Sequence, residues 1–128
     1  MSVLLEISIG DFLDRLSILE IKLEKIADKQ KRLNIEKEHR VYLSRLENAQ
    51  YPKNEVKQLL NKLREVNLRL WEVEDEIRLK EKHRQFDERF IELARSVYKT
   101  NDLRSKLKRQ ANETFGSELV EEKSYQDY

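Results

Sequence analysis

Apolar residues recur every three or four positions over most of the chain, which is the spacing of one face of an α-helix. The most regular stretch lies in the middle of the sequence, after a predicted loop at residues 49–54, AQYPKN. Pro52 disfavours a continuous helix through this loop, and Asn54 can cap the helix that follows. The seam of this third helix alternates by threes and fours, as in a coiled coil: Val56, Leu59, Leu63, Val66, Leu70, Val73 and Ile77.

A first helix is predicted to begin after Ser8. Asp11 follows Ser8 at the spacing of an imperfect capping box, and Ile7 and Phe12 have the spacing of a hydrophobic staple. Ile18 and Ile21 widen its apolar stripe, as a bundle helix requires. The seam itself consists of Phe12, Leu16, Leu19, Leu23 and Ile26.

Between residues 27 and 50 the apolar pattern weakens amid dense charge. A break near Asp28 followed by a second helix is the prediction, although a single helix over residues 8–48 also fits the spacing.

The last helix is predicted between Phe86 and Gly116. Asp87 can accept a hydrogen bond as its N-cap, and Gly116 can take the left-handed conformation that ends a helix. Its apolar seam is interrupted, because Thr100 and Arg104 occupy seam positions. The apolar members of this seam are Phe90, Leu93, Val97, Leu107 and Ala111.

These elements predict an all-α fold, an antiparallel bundle of three to four long helices in one domain over residues 1–128. Two glycines and one proline in 128 residues agree with long helices. Residues 117–128 are predicted to be a tail docked on the bundle. The alternation of apolar residues at the start of the chain also allows a short extended pairing of the two termini.

The composition limits which binding partners and which cellular compartment are expected for the protein. Charged residues make up 40% of the chain, but the formal net charge is +1, so nucleic acid is not an expected partner. The absence of cysteine excludes disulfides and thiol chemistry. No apolar run reaches the length of about 18 residues needed to cross a membrane, and the first residues lack the features of a signal peptide. A cytoplasmic protein without a membrane partner is expected.

Residues 95–109 hold six basic residues and one acid, whereas the tail holds four acids and one lysine. The basic face could meet phosphates, or the tail could fold back and neutralise it. The sequence leaves open whether this face is free or covered.

Arg104 indicates where a site would lie, because a guanidinium at a helix interface must be paired or solvated. A structural role is the preferred interpretation, either an ion pair with a carboxylate of a neighbouring helix or an arginine that reaches out to water. Glu74 of the third helix is the predicted partner of Arg104 or Arg15. The alternative is a pocket between helices 1, 3 and 4 that binds a small anion. Its candidate ligand-binding residues are Arg15, Lys22, Glu74, Asn101 and Arg104.

The sequence motifs give little support for a metal or cofactor site. Glu36 and His39 form one Glu-x-x-His, which a di-iron bundle needs twice. Glu72 and Asp75 match half of a magnesium-binding helical pattern. We therefore predict no metal site and no cofactor, assign no catalytic residue, and leave enzymatic activity open.

Three segments and a closing motif together resemble an uncharacterised bacterial family of small helical proteins, described only as a domain of unknown function. The segments are ISIGDFLDRLSILEIKLEKI at 7–26, LWEVEDEIRLKE at 70–81 and ELARSVYKTNDLRSKLKRQAN at 92–112, with VEEKSY at 120–125. The resemblance brings no activity. It implies that a set of mostly polar residues belongs to the family pattern: Asp14, Ser17, Lys22, Asp75, Asn101, Asp102 and Arg104.

Two functions follow as expectations. The first is a non-enzymatic interaction or scaffolding module that forms a homo-oligomer, or binds a protein partner, through the heptad faces of helices 1 and 3. The second is a protein or enzyme that binds a small anion, such as a phosphate, nucleotide-sugar or dicarboxylate, in the pocket around Arg104.

Overall fold

The computed structural model describes residues 1–128 and contains four α-helices and no strand. The helices are α1 (Ile9–Lys25), α2 (Lys29–Ala49), α3 (Lys53–Lys82) and α4 (Glu88–Thr114). They pack as an antiparallel bundle, which confirms the predicted fold class. The two termini do not pair as strands, so the short extended pairing that the sequence allowed does not form.

Three of the helix starts are set by side-chain caps, of which Ser8 and Asp87 were predicted as caps and Asp28 only as the neighbourhood of a break. Ser8, Asp28 and Asp87 each accept a hydrogen bond from the backbone N–H three residues later. The cap at Asp28 separates α1 from α2 and excludes a single helix over residues 8–48. At α3 the predicted cap is wrong: Pro52 is the N-cap, and Asn54 lies within the first turn. Proline suits a helix start because the first N–H groups of a helix have no intrahelical acceptor.

The core lies between α1, α3 and α4, whereas α2 packs on the outer side of α1. Phe12 of α1 stacks on Tyr42 of α2, while the next residue, Leu13, is fully buried against α3 and α4. Helix α1 is therefore covered on two sides, so its buried residues do not follow the single predicted seam. The central apolar cluster consists of Ile9, Leu13, Val56, Leu59, Leu63 and Ala111.

Helix α1 covers only one half of the longer helices. Gly10 lies beside Asn112 and Asp14 beside Arg104, so α1 runs antiparallel to α4 from its C-terminal end. At 1.5 Å per residue, α3 is about 45 Å long and α1 about 25 Å. The buried residues of α3 all lie between Val56 and Asn67. The α3–α4 hairpin therefore extends beyond the end of α1.

Gly116 follows Phe115, the C-cap of α4, and has φ 64°, the left-handed conformation predicted for it. None of the four helices combines the length and the apolar character that crossing a membrane would require.

Candidate functional site

A buried ion pair joins α1 to α4 at the interrupted part of the α4 seam. Arg104 donates from Nε to Oδ1 of Asp14 at 2.8 Å and from Nη2 to Oδ2 at 2.6 Å. The Asp14 side chain is 4% exposed and that of Arg104 is 29% exposed. The two parallel hydrogen bonds form the bidentate arrangement that fixes both the distance and the orientation of a guanidinium and a carboxylate.

Helix α3 completes this polar cluster. Nδ2 of Asn67 donates to Oδ1 of Asp14 at 2.9 Å and to Oγ of Ser17 at 2.8 Å. The hydroxyl of Ser17 in turn donates to the backbone carbonyl of Asp14 at 2.7 Å. No buried side-chain nitrogen or oxygen is left without a hydrogen-bond partner. The cluster thus joins three helices through polar groups that satisfy one another.

The charges of the cluster are stabilised by their neighbours. Burial raises the pKa of Asp14, but hydrogen bonds from Arg104 and Asn67, together with the charges of Arg104 and Lys108, outweigh burial and leave that pKa below its ordinary value. The hydrogen bond to Asp14 raises the pKa of Arg104 further, against the effect of burial. Both groups are therefore charged near neutral pH.

A second polar contact lies one to two turns away. Nζ of Lys108 is 2.8 Å from Oδ1 of Asp11 and 2.6 Å from Oε2 of Glu121. Burial lowers the pKa of Lys108, but the two carboxylates more than offset this and raise it. Glu121 belongs to residues 115–128, which follow α4 and which we call the C-terminal segment. A basic side chain of α4 thus bridges α1 and the C-terminal segment.

At the end of the bundle the backbones of α1 and α4 approach closely. The N–H of Gly10 donates to Oδ1 of Asn112 at 2.7 Å. A Cβ atom on residue 10 would lie 2.3 Å from the carbonyl oxygen of Lys108, so only glycine fits there.

Two of the five candidate ligand-binding residues come together. Arg104 Nη1 lies 3.5 Å from Oδ1 of Asn101. Arg15 is exposed, and Lys22 is half-buried. Glu74 is exposed and pairs with Arg78 at 3.0 Å. The predicted pairing of Glu74 with Arg104 or Arg15 is wrong, because Asp14 lies on the α1 face that meets α4.

The polar cluster and its surroundings include residues that the sequence did not predict to be part of a site. Asp14 and Ser17 were implied only by the family resemblance, and Asn67, Lys108 and Asn112 were not predicted. A signal exists in α1, where Gly10, Asp14 and Ser17 have the spacing of one helix face and share it with Leu13. Small and polar residues on an otherwise apolar face indicate close packing with a polar partner.

A groove lies on the other side of Arg104, between α4 and the C-terminal segment. It encloses about 1420 Å³ and is lined by residues 97–99, 101–106 and 123–128, which include both Asn101 and Arg104. The hydroxyl of Tyr128 donates to Oδ2 of Asp102 at 2.6 Å, and the Tyr98 and Tyr128 rings are 5.1 Å apart. Arg109 pairs with Glu122 at 3.2 Å. Part of the basic face of α4 is thus in contact with acids of the C-terminal segment.

No group of three or more histidine, cysteine, aspartate or glutamate side chains is arranged to hold a metal ion. The half-motifs at Glu36 and Glu72 lie on separate helices, α2 and α3.

Comparison with known proteins gives one match. The model of a family of unknown function (DUF6165) matches residues 3–128. No curated protein and no solved structure matches the chain.

Proposed function

The chain belongs to the family of unknown function DUF6165, and we propose that it is a self-associating helical interaction module. The resemblance to a domain of unknown function is confirmed by this membership, which itself assigns no activity. The proposal is supported by the surface that the α3–α4 hairpin leaves uncovered beyond the end of α1.

The helix faces that hold α1 continue along the uncovered half of the hairpin. On α4, Ala94 and Phe90 lie at helical spacing from Asn101 and Arg104 and therefore on the same helix face. On α3 the face that carries Asn67 leads to Trp71. A surface that packs a helix in one half of the hairpin therefore has no helix on it in the other half.

Apolar side chains line this uncovered surface, which we call the hairpin notch. Phe86 is 57% exposed, and its ring lies edge-on to that of Phe90 at 5.2 Å. Ala94 is exposed, and Phe90 and Trp71 are only half-buried. Burying aromatic rings of this size contributes about 2 kcal/mol each, which favours a partner helix at the notch.

Charge at the rim of the notch makes a second copy a suitable partner. Glu74 and Arg78 are four residues apart on the exposed face of α3 and pair with each other within the protomer. In an antiparallel dimer with twofold symmetry, Glu74 of each protomer would meet Arg78 of the other. An exposed pair contributes at most about 1 kcal/mol, so exchanging it between protomers costs little.

The hairpin notch differs from the surfaces first expected to mediate self-association, the heptad faces of helices 1 and 3. The heptad face of the first helix and the first half of that of the third are already used inside the protomer, where Leu16, Leu59 and Leu63 are buried. The outer part of the α3 seam, from Leu70 to Ile77, is only half-buried.

The test is the molar mass in solution, measured by sedimentation velocity between about 1 and 100 μM, a range that brackets the dissociation constants of moderate protein interfaces. We expect the wild type to be a dimer at the upper end. The double variant Phe86→Glu/Ala94→Glu should be a monomer, because two carboxylates cannot be buried in an apolar contact. Both positions are exposed in the protomer, so circular dichroism should be unchanged.

The matched control is Leu33→Glu/Val41→Glu, which adds the same charge at two exposed apolar positions of α2, 59% and 54% exposed. This control should remain a dimer. A wild type that is monomeric at the highest concentration, or a control that dissociates as readily as the notch variant, contradicts the proposal.

A further inference from the structure

We propose that the groove between α4 and the C-terminal segment is a binding site for a nucleoside polyphosphate. This inference concerns a different surface from the hairpin notch and does not rest on self-association. Two of the five candidate anion-binding residues, Asn101 and Arg104, line this groove, whereas Arg15, Lys22 and Glu74 do not.

The charge of the groove favours an anion. Four cations line it, against the two carboxylates of Asp102 and Asp127. Lys99 and Lys106 have no carboxylate within ion-pair distance. They are seven residues apart on α4, and two helical turns place them about 10 Å apart along the axis. That separation suits a chain of phosphates better than a single small anion.

Arg104 is held in place before any ligand arrives. Its Nε and Nη2 atoms are bound to Asp14, so the direction of its guanidinium is fixed. Nη1 has only the long 3.5 Å contact with Asn101 on the groove side. A donor that is already oriented loses little conformational entropy when it binds a phosphate or a base edge.

Three tyrosines supply flat apolar surface beside these cations. Tyr98, Tyr125 and Tyr128 line the groove, and all three are exposed. Stacking of a nucleic acid base on an aromatic ring contributes about 1–3 kcal/mol. Unpaired lysines next to exposed aromatic rings match a ligand that has both phosphates and a planar ring.

Neither carboxylate of the groove, Asp102 or Asp127, forms an ion pair with Lys99 or Lys106. Asp102 lies between Lys99 and Lys106 along α4, but its carboxylate accepts a hydrogen bond from Tyr128. The C-terminal segment that forms the outer wall is attached through Glu121 to Lys108 and through Glu122 to Arg109. The ion pairs that hold this wall therefore use other cations of α4 and leave Lys99 and Lys106 unpaired.

Isothermal titration calorimetry with ATP, pyrophosphate and adenosine tests the site. We expect ATP to bind more tightly than either fragment, because only ATP combines phosphates with a ring. The variant Lys99→Gln/Lys106→Gln should bind ATP at least about tenfold more weakly, the effect of losing 1.4 kcal/mol of charge-assisted hydrogen bonding. The variant Tyr98→Leu should lower the affinity for ATP and leave that for pyrophosphate unchanged.

The matched control is Lys57→Gln/Lys62→Gln, which removes the same charge from two exposed positions of α3. ATP should bind this control as it binds the wild type. If both double variants lose the same amount of ATP affinity, the binding reflects general charge attraction and the site is excluded. The absence of saturable ATP binding to the wild type also excludes it. An affinity for pyrophosphate equal to that for ATP would overturn the assignment to a nucleotide.

Discussion

Asp14 and Arg104 are both largely removed from water, and each is the main counter-charge of the other. Replacing a buried pair by apolar residues is often tolerated, but removing one partner leaves the other charge uncompensated. Arg104 on the α4 seam is therefore needed because Asp14 is buried opposite it on α1. Asn67 adds specificity, because its amide meets Asp14 and Ser17 in only one register of α3.

We expect Arg104→Met to lower the free energy of unfolding by about 3 kcal/mol, because Asp14 then stays buried without its cation. Asp14→Asn should cost less, because Arg104 is 29% exposed and water in the groove can solvate its charge. The double variant should cost less than the sum of the two, since the uncompensated charge is then gone. Urea unfolding followed by the fluorescence of Trp71 measures all three changes.

Arg15→Met is the control for this cycle, because Arg15 is the neighbouring arginine candidate and is exposed. Its effect should stay within about 0.5 kcal/mol. Strict additivity of the two single changes would show that the pair contributes no coupling.

At the scale of elements, the pairing of α1 with α4 depends on close backbone approach at Gly10. At this point no side chain separates the two backbones, and the N–H of Gly10 donates a hydrogen bond to Oδ1 of Asn112. Farther along the two helices the backbones are more widely spaced, and the Asp14–Arg104 ion pair joins them. The register of α1 on α4 is thus fixed by a steric contact at Gly10 and by an electrostatic contact at Asp14.

Gly10→Ala should destabilise the protein by about 2 kcal/mol despite the better helix propensity of alanine, because the added methyl group would overlap the Lys108 carbonyl. Thermal unfolding should show a midpoint roughly 6–8 °C lower in a domain of this size.

Gly116→Ala is the comparison, since a Cβ there meets nothing within 4 Å but the residue has φ 64°. It should cost about 1 kcal/mol through backbone strain alone. A smaller loss at residue 10 than at residue 116 would show that α1 and α4 can separate at little cost.

For the whole molecule, the buried pair makes stability depend on pH. The pKa of Asp14 is lower in the folded protein than in the unfolded chain, where it is about 3.9. Its contribution is therefore fully present above about pH 4 and is lost as the pH falls through the folded pKa. Lys108 and Arg104, the cations that face Asp14, stay charged throughout this range.

The free energy of unfolding of the wild type should exceed that of Asp14→Asn by much more at pH 6 than at pH 3. Urea titrations at both values measure this gap, and the comparison cancels the other carboxylates that titrate in the same range. A gap that stays constant between the two pH values would contradict an ionised Asp14.

Features set by neighbouring residues could be predicted from the sequence, whereas features set by contacts between helices could not. Helix starts at Ser8 and Asp87 were predictable because a cap acts over three residues. The unusual position of Arg104 was visible as a polar residue on an apolar seam. Its partner was not, because Asp14 and Glu74 both lie near an apolar seam, and only the crossing of α1 with α4 selects between them.

The sequence alone determined the helical class and the starts of the first and last helices, through periodicity and caps that operate within a few residues, but it left open whether residues 8–48 form one helix or two. It also determined that a charged group had to be satisfied inside the bundle. The tertiary structure decided which charges meet, which half of the hairpin α1 covers, and that Asn101 and Arg104 border a groove beside the C-terminal segment. These features depend on contacts between residues far apart in the sequence, and such contacts leave no periodic trace along the chain. Asp14 and Arg104, for example, are 90 positions apart.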